Sequence, residues 1–195
     1  MTEAVASMKE QIHRTASRLF RERGFHATSV RDIAEQVGLR GGSLYAHVEK
    51  KDDLLWDIVN EAADRFFEAL RPIAEADLDI MQKLRKAVLA HLEVVTSDLD
   101  AAAVYTVEWR HLSPQRCEAI TRRRDEYEGL FRNLVDEAIR KRFVSAIDAP
   151  SAALFILSAL NYVFTWYRLE GRLSPEEVGQ MLADYIFDGL RRRTV

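Results

Sequence analysis

The chain is 195 residues long, 48% hydrophobic and 30% charged, with a formal net charge of −3. That length and mixture support a buried core and exclude a disordered polyelectrolyte. Four prolines and eight glycines are too few for the many turns of an all-β fold. The lone cysteine, Cys117, rules out an intramolecular disulfide, and the first residues lack the basic and apolar regions of a secretion signal. The expected compartment is the cytoplasm. Residues 1–51 hold nine Lys/Arg against six Asp/Glu, and the remainder 19 against 25. A mildly basic head on an acidic body suits local phosphate contact rather than a general coating of nucleic acid.

A first helix is predicted over MKEQIHRTASRLFRERG, where Ile12, Ala16, Leu19 and Phe20 recur at helical spacing and Gly24 supplies the stop. The pattern Ser29-x-x-Asp32 opens a second, which carries Ile33, Ala34 and Val37 and ends at Gly38. After the break Gly38-Leu39-Arg40-Gly41, a short third helix begins at Gly42 or Ser43. Residues 29–48 therefore have the form of a helix-turn-helix, whose second helix lies in the DNA major groove. A fourth helix starts near Lys51 and runs unbroken to Pro72, with Leu54, Leu55, Ile58, Ala62, Phe66 and Leu70 on its buried side.

Further helices are predicted at about 78–96, 101–111, 114–142, 150–169 and 175–192. Three of them open with Pro114, Pro150 or Pro175, where the missing amide has no intrahelical partner to lose. The apolar run from Ser151 to Tyr167 is slightly short for a bilayer and is punctuated by Ser158, Asn161 and Thr165. Such a run is instead buried on nearly all sides, against a core or cavity and a subunit interface. The reading is an all-α chain of about nine helices, with a three-helix head over 6–66 and a helical body over 67–195.

DNA recognition needs phosphate anchors to hold register and base-edge groups to read sequence. Arg31 and Arg40 are the candidate guanine readers, because a guanidinium bonds bidentately to a guanine edge. Gly41 and Gly42 let backbone approach DNA, and Ser29 and Ser43 stand where they can cap a helix or meet a phosphate. Tyr45 and His47 offer hydrogen bonds from the far end of the recognition helix. Lys51 adds its charge to a helix amino terminus.

These residues resemble the TetR-type one-component transcriptional regulators. The pattern comprises Ala16, Leu19-Phe20, Gly24-Phe25, Thr28, Ile33-Ala34, Gly38-Leu39, Gly42-Ser43-Leu44-Tyr45, His47, Lys51 and Leu54-Leu55. The resemblance implies a homodimer with DNA-binding heads and a ligand-binding, dimer-forming body, usually a repressor released from operator DNA by a small molecule. It also implies phosphate contacts for Tyr45 and His47. Two positions depart from the pattern: Val48 stands where phenylalanine is usual, and Lys50 where serine caps the next helix.

Beyond the head, Glu108-Trp109-Arg110, the segment Arg124 to Glu128, Leu160-Asn161-Tyr162 and Gly171 to Pro175 are similar to one subgroup. Its members regulate fatty-acid, phenylacetate and steroid breakdown and respond to acyl-CoA thioesters. The ligand candidates are Leu92, Val95, Tyr105, Trp109, Arg110, Phe131, Tyr162 and Trp166, since aromatics with a polar tip bound an apolar cavity and still place a hydrogen bond. The dimer candidates are Phe155, Ala159, Val163, Tyr167, Met181 and Tyr185. Phe155, Tyr162 and Trp166 share one helical face, while Ile156, Leu160, Val163 and Tyr167 share another. Which face meets the second subunit and which the core stays open at this point.

No nucleophile–base pair, paired carboxylates or metal spacing marks an enzyme or a cofactor site, although His91 and His111 could meet in space. A regulator of an efflux or stress operon with an aromatic or cationic ligand is the alternative reading. A helical ligand-binding module without DNA function is the remote one.

Overall fold

The computed structural model describes residues 7–39 and 50–190. Among the described residues are α1 (Met8–Arg23), α2 (Val30–Val37), α3 (Lys51–Glu75), α4 (Ile80–Ser97), α5 (Leu99–Val107), α6 (Pro114–Arg140), α7 (Ala149–Asn161) and α8 (Pro175–Leu190). Two 3₁₀ turns, Glu108–His111 and Val163–Thr165, complete them. The all-helical expectation holds, with a helix count close to the predicted nine. The predicted third helix, and with it Arg40, Gly41, Gly42, Ser43, Tyr45, His47 and Val48, lies outside the described residues.

The helix ends follow from local chemistry. Ser7 and Glu10 form a reciprocal capping box at the start of α1, with the Ser7 amide 2.7 Å from the Glu10 carboxylate. Gly24 and Gly38 stop α1 and α2 at φ +83° and +75°, angles that a side chain would strain. Proline at 72 does not end α3, which continues to Glu75. The helix predicted over 150–169 stops at Asn161 instead. Residues 162–167 are aromatic or β-branched and lose rotamer freedom in a helix. The Thr165 hydroxyl donates to the Tyr162 carbonyl at 2.7 Å and closes the tighter turn.

The described chain falls into two compact units: residues up to 62 with 100–120, and residues 63–99 with 121 onward. The sequence predicts a single boundary after residue 66, whereas the first unit takes in 100–120 as well. In the first unit, Ile12, Ala16, Leu19, Phe20, Ile33, Ala34, Leu54, Leu55 and Ile58 are buried together with Ala101 to Thr106 of α5. The buried Thr28 hydroxyl lies 3.2 Å from the Leu19 carbonyl and 3.0 Å from that of Gly24, which seats the α1–α2 turn on the end of α1.

In the second unit the core comprises Phe66, Leu70, Leu84, Val88, Leu92, Tyr127, Phe131, Leu160, Val163, Tyr167, Ile186 and Phe187. Helices α4 and α8 approach closely because position 179 is glycine: a Cβ there would stand 2.6 Å from Leu89 Cδ2. Arg85 bridges the same two helices with a 2.5 Å bond to Asp184. No described helix is long and apolar enough to cross a membrane.

Candidate functional site

Of the residues expected at DNA, Ser29, Arg31 and Lys51 are described. Ser29 caps α2: its hydroxyl accepts from the Asp32 amide, and the Asp32 carboxylate takes the Ser29 amide at 2.7 Å. Those bonds from Ser29, side chain first, hold the Asp32 carboxyl below its ordinary pKa. Arg31 projects outward with its side chain 84% exposed and pairs along the helix surface with Glu35 at 2.9 Å. Such an exposed pair is worth little and is readily exchanged for a stronger acceptor.

Lys51 is placed differently from the expectation. Its ammonium turns inward and donates to the carbonyls of Phe25 and Thr28, both at 2.7 Å, while standing 4.3 Å above the Phe25 ring. Burial draws its pKa below the usual lysine value, and the charge of Asp32 partly offsets this. Two of its three protons are committed to the α1–α2 turn, so Lys51 acts here as a staple between that turn and the start of α3. Lys51→Met is expected to cost about 1–3 kcal/mol, the range for charge-assisted bonds lost from partly buried acceptors. Urea unfolding checks it as a lower midpoint with an unchanged slope.

The head also holds the stretch 100–120 by polar contacts that the sequence did not disclose. Arg21 reaches Asp100 at 2.9 Å, and the Phe25 amide donates to Glu108 at 2.8 Å. His26 Nε2 and His111 Nδ1 lie 3.0 Å apart. Arg116 binds Asp52 and, at 2.7 Å, Asp53 in the first turn of α3. Burial opposes the Arg116 charge, but bonds from Asp53 and Asp52 outweigh it and raise its pKa. His111 thus pairs with His26, not with His91, and no group of three metal-ligating side chains occurs among the described residues.

The ligand candidates divide between the units. Tyr105, Trp109 and Arg110 belong to the first, where the Arg110 guanidinium lies 4.9 Å from the Trp109 ring centre. Leu92, Val95 and Phe131 are fully buried in the second. Tyr162 and Trp166 are 54% and 48% exposed, so they face outward rather than into the core. Conversely Val163 and Tyr167, expected at the dimer seam, are inside the unit's own core. Phe155 and Tyr185 are exposed, while Ala159 and Met181 are half-buried. Although α7 ends at Asn161, the two predicted sets still separate by exposure: Phe155, Tyr162 and Trp166 are exposed, and Ile156, Leu160, Val163 and Tyr167 are buried.

The second unit encloses a polar pair that the sequence reading missed. His91 on α4 is wholly buried, its Nδ1 3.0 Å from the Tyr127 hydroxyl of α6. Rings of Phe66, Tyr127 and Phe131 surround it at 4.7, 5.7 and 6.2 Å. Burial drives its pKa down to about 3; bonding toward Asn161 opposes the shift and the Arg124 charge adds to it. The ring is therefore neutral near pH 7. The sequence offers His91 as a possible neighbour of His111 and Tyr127 as part of the segment 124–128, but nothing in their spacing joins the two to each other.

Surface grooves open on this unit among the described residues. One, of about 540 Å³, is lined by Asp64, Phe67, Glu68, Arg71, Pro72, Arg123 and Glu126. Arg71 and Arg123 stand 4.7 and 5.5 Å from the Phe67 ring centre, and Arg123 pairs with Asp64 at 2.5 Å. Another, of about 610 Å³, is lined by Leu89, Glu93, Thr96, Ser97, Ser174, Pro175 and Glu176.

Residues 12–58 match the bacterial regulatory proteins of the tetR family, and residues 77–190 match the tetracyclin repressor-like C-terminal domain. The chain belongs to the TetR family of helix-turn-helix, DNA-binding transcriptional regulators. It is 30% identical over 177 residues to the HTH-type transcriptional repressor KstR2 of Rhodococcus jostii (strain RHA1), covering 90% of this chain and 87% of that one. The structure of the ketosteroid transcriptional regulator KstR2 of Mycobacterium tuberculosis superposes with a TM-score of 0.91 at 25% identity, over 97% of this chain and 98% of that one. The fold is also that of AibR solved with isovaleryl coenzyme A and operator DNA, at a TM-score of 0.82 and 22% identity over 93% and 98% of the chains.

Proposed function

We propose that this regulator is a ligand-responsive repressor that binds a pseudo-palindromic operator as a homodimer and is released by an acyl-CoA thioester of a catabolic pathway. The observation that carries the reading is the likeness to a transcriptional repressor along nine-tenths of the chain. Relatives named for ketosteroid regulation, and a fold shared with a regulator solved with isovaleryl coenzyme A, support the effector class. The exposed apolar side chains of the second unit support the dimer. Leu154, Phe155, Tyr162, Trp166, Leu169 and Tyr185 all lie on α7, α8 or the stretch between them. Single exposed apolar residues are ordinary, but a concentration of aromatics on one stretch marks a surface meant to be covered.

A dimer presents two recognition helices to half-sites about one helical turn apart, ~34–36 Å, or a multiple of it. The switch follows from thermodynamics alone. An effector that favours a DNA-incompetent state by 100-fold shifts the equilibrium by ~2.7 kcal/mol. Helix α3 runs without a break from Lys51, the staple of the head, to Glu75 in the other unit, so it can carry the change along its backbone.

The groove holding Glu93 and Glu176 favours a second reading, in which the effector is a cation. A thermal-shift series separates the two. Decanoyl-CoA is expected to raise the melting temperature where decanoic acid and free CoA do not. Stabilisation by cationic aromatics alone overturns the thioester reading in favour of the second.

A further inference from the structure

A buried imidazole with an unused ring nitrogen is an expensive thing to keep in a core. Among the described residues His91 Nε2 has no hydrogen-bond partner of good geometry, the Asn161 side chain only approaching the ring, although the residue is 2% exposed and walled by Phe66, Tyr127 and Phe131. Leaving such a polar atom unpaired is destabilising, and a phenylalanine of similar size would avoid it. The Tyr167 hydroxyl, buried in the same unit, is likewise without a partner. The His91 ring is neutral near pH 7, so its nitrogen suits an uncharged oxygen rather than an ion.

The Phe67 ring lines the 540 Å³ groove and also meets the Tyr127 ring edge-on at 5.5 Å, so that single side chain has the groove on one side and Tyr127 on another. The groove carries the guanidiniums of Arg71 and Arg123 against the carboxylates of Asp64, Glu68 and Glu126.

Resting on the effector reading above, we infer that His91 and Tyr127 form the carbonyl anchor of the effector site. The ligand is an acyl compound whose tail packs against Phe66 and Phe131 and whose thioester oxygen accepts a hydrogen bond from His91 Nε2–H. Tyr127 sets the tautomer. When its hydroxyl donates to Nδ1, the ring proton resides on Nε2 and faces the ligand. Entry requires the Phe67 ring to swing aside. No bond is made or broken in the ligand.

The test uses the full-length protein and decanoyl-CoA labelled with ¹³C at the thioester carbonyl. Wild type is expected to bind it with the labelled stretch shifted to lower frequency, the signature of an accepted hydrogen bond. His91→Phe is expected to bind at least tenfold more weakly with the stretch returned to its apolar-solvent position. Tyr127→Phe, which keeps the ring but frees the tautomer, is expected to show a smaller loss in the same direction. Binding and stretch unchanged in both variants overturn the anchor while leaving the thioester effector intact. A wild-type protein that binds no decanoyl-CoA overturns the effector reading and the anchor with it. Should His91→Phe fail to fold, Tyr127→Phe and the wild-type stretch decide, and an unshifted wild-type band overturns the anchor.

Discussion

Replacing Phe155 and Tyr185 together with aspartate is expected to convert the protein to a monomer and to lower operator affinity by at least 100-fold. Both side chains are well exposed, at 60% and 69%, so the charges disturb no core of their own unit and folding should survive. Facing their counterparts across a two-fold axis, they would bring like charges together in a desolvated seam. Each head alone makes few contacts. Joining two heads turns the second binding event into an intramolecular one, worth about 10²–10⁴ in affinity without any new contact. Sedimentation velocity reads the first consequence and fluorescence anisotropy on a labelled operator the second. A variant that stays dimeric with full affinity contradicts the placement of the seam on α7 and α8.

The second large effect concerns acid. In the folded protein the His91 pKa is lowered from 6.5 to about 3 by burial. The unfolded chain therefore binds one more proton than the native state between those values. The stability that rests on a neutral His91 is fully present above about pH 6.5 and is lost as pH falls toward 3. The slope is about 1.4 kcal/mol per pH unit, so about 2.7 kcal/mol is gone by pH 4.5. His91→Phe removes the titrating group. Urea unfolding at pH 7 and pH 4.5 is expected to show the variant gaining on wild type by about 2–3 kcal/mol at the lower pH. Parallel losses in the two proteins contradict a neutral, buried His91.

The helices were largely legible because their signals are local. Ser29 with Asp32, Gly24, Gly38 and the prolines at 114, 150 and 175 act within a single turn, and each stands at a helix end or start. The two faces of the α7 run were also legible as periodicity. Periodicity says which residues travel together and not which set meets solvent; in the structure Val163 and Tyr167 are the buried set and Tyr162 and Trp166 the exposed one.

What stayed hidden depends on contacts far apart in sequence. Nothing in residues 100–120 announces that Asp100, Glu108 and Arg116 return to Arg21, the Phe25 amide and Asp53. Lys51 was read as a phosphate anchor because a lysine at a helix start suggests one, but the carbonyls of Phe25 and Thr28 compete for the same protons. His91 and Tyr127 are separated by 36 positions and share no motif. Only their burial side by side, with one ring nitrogen left over, singles them out.

We propose that a thioester controls the grip of this protein on DNA. Anisotropy of a labelled fragment from upstream of its own gene, at low salt, tests it most directly. The expected result is saturable binding that decanoyl-CoA reverses and that free CoA at the same concentration leaves in place. Absence of binding at low salt, or a complex untouched by the thioester, contradicts the account.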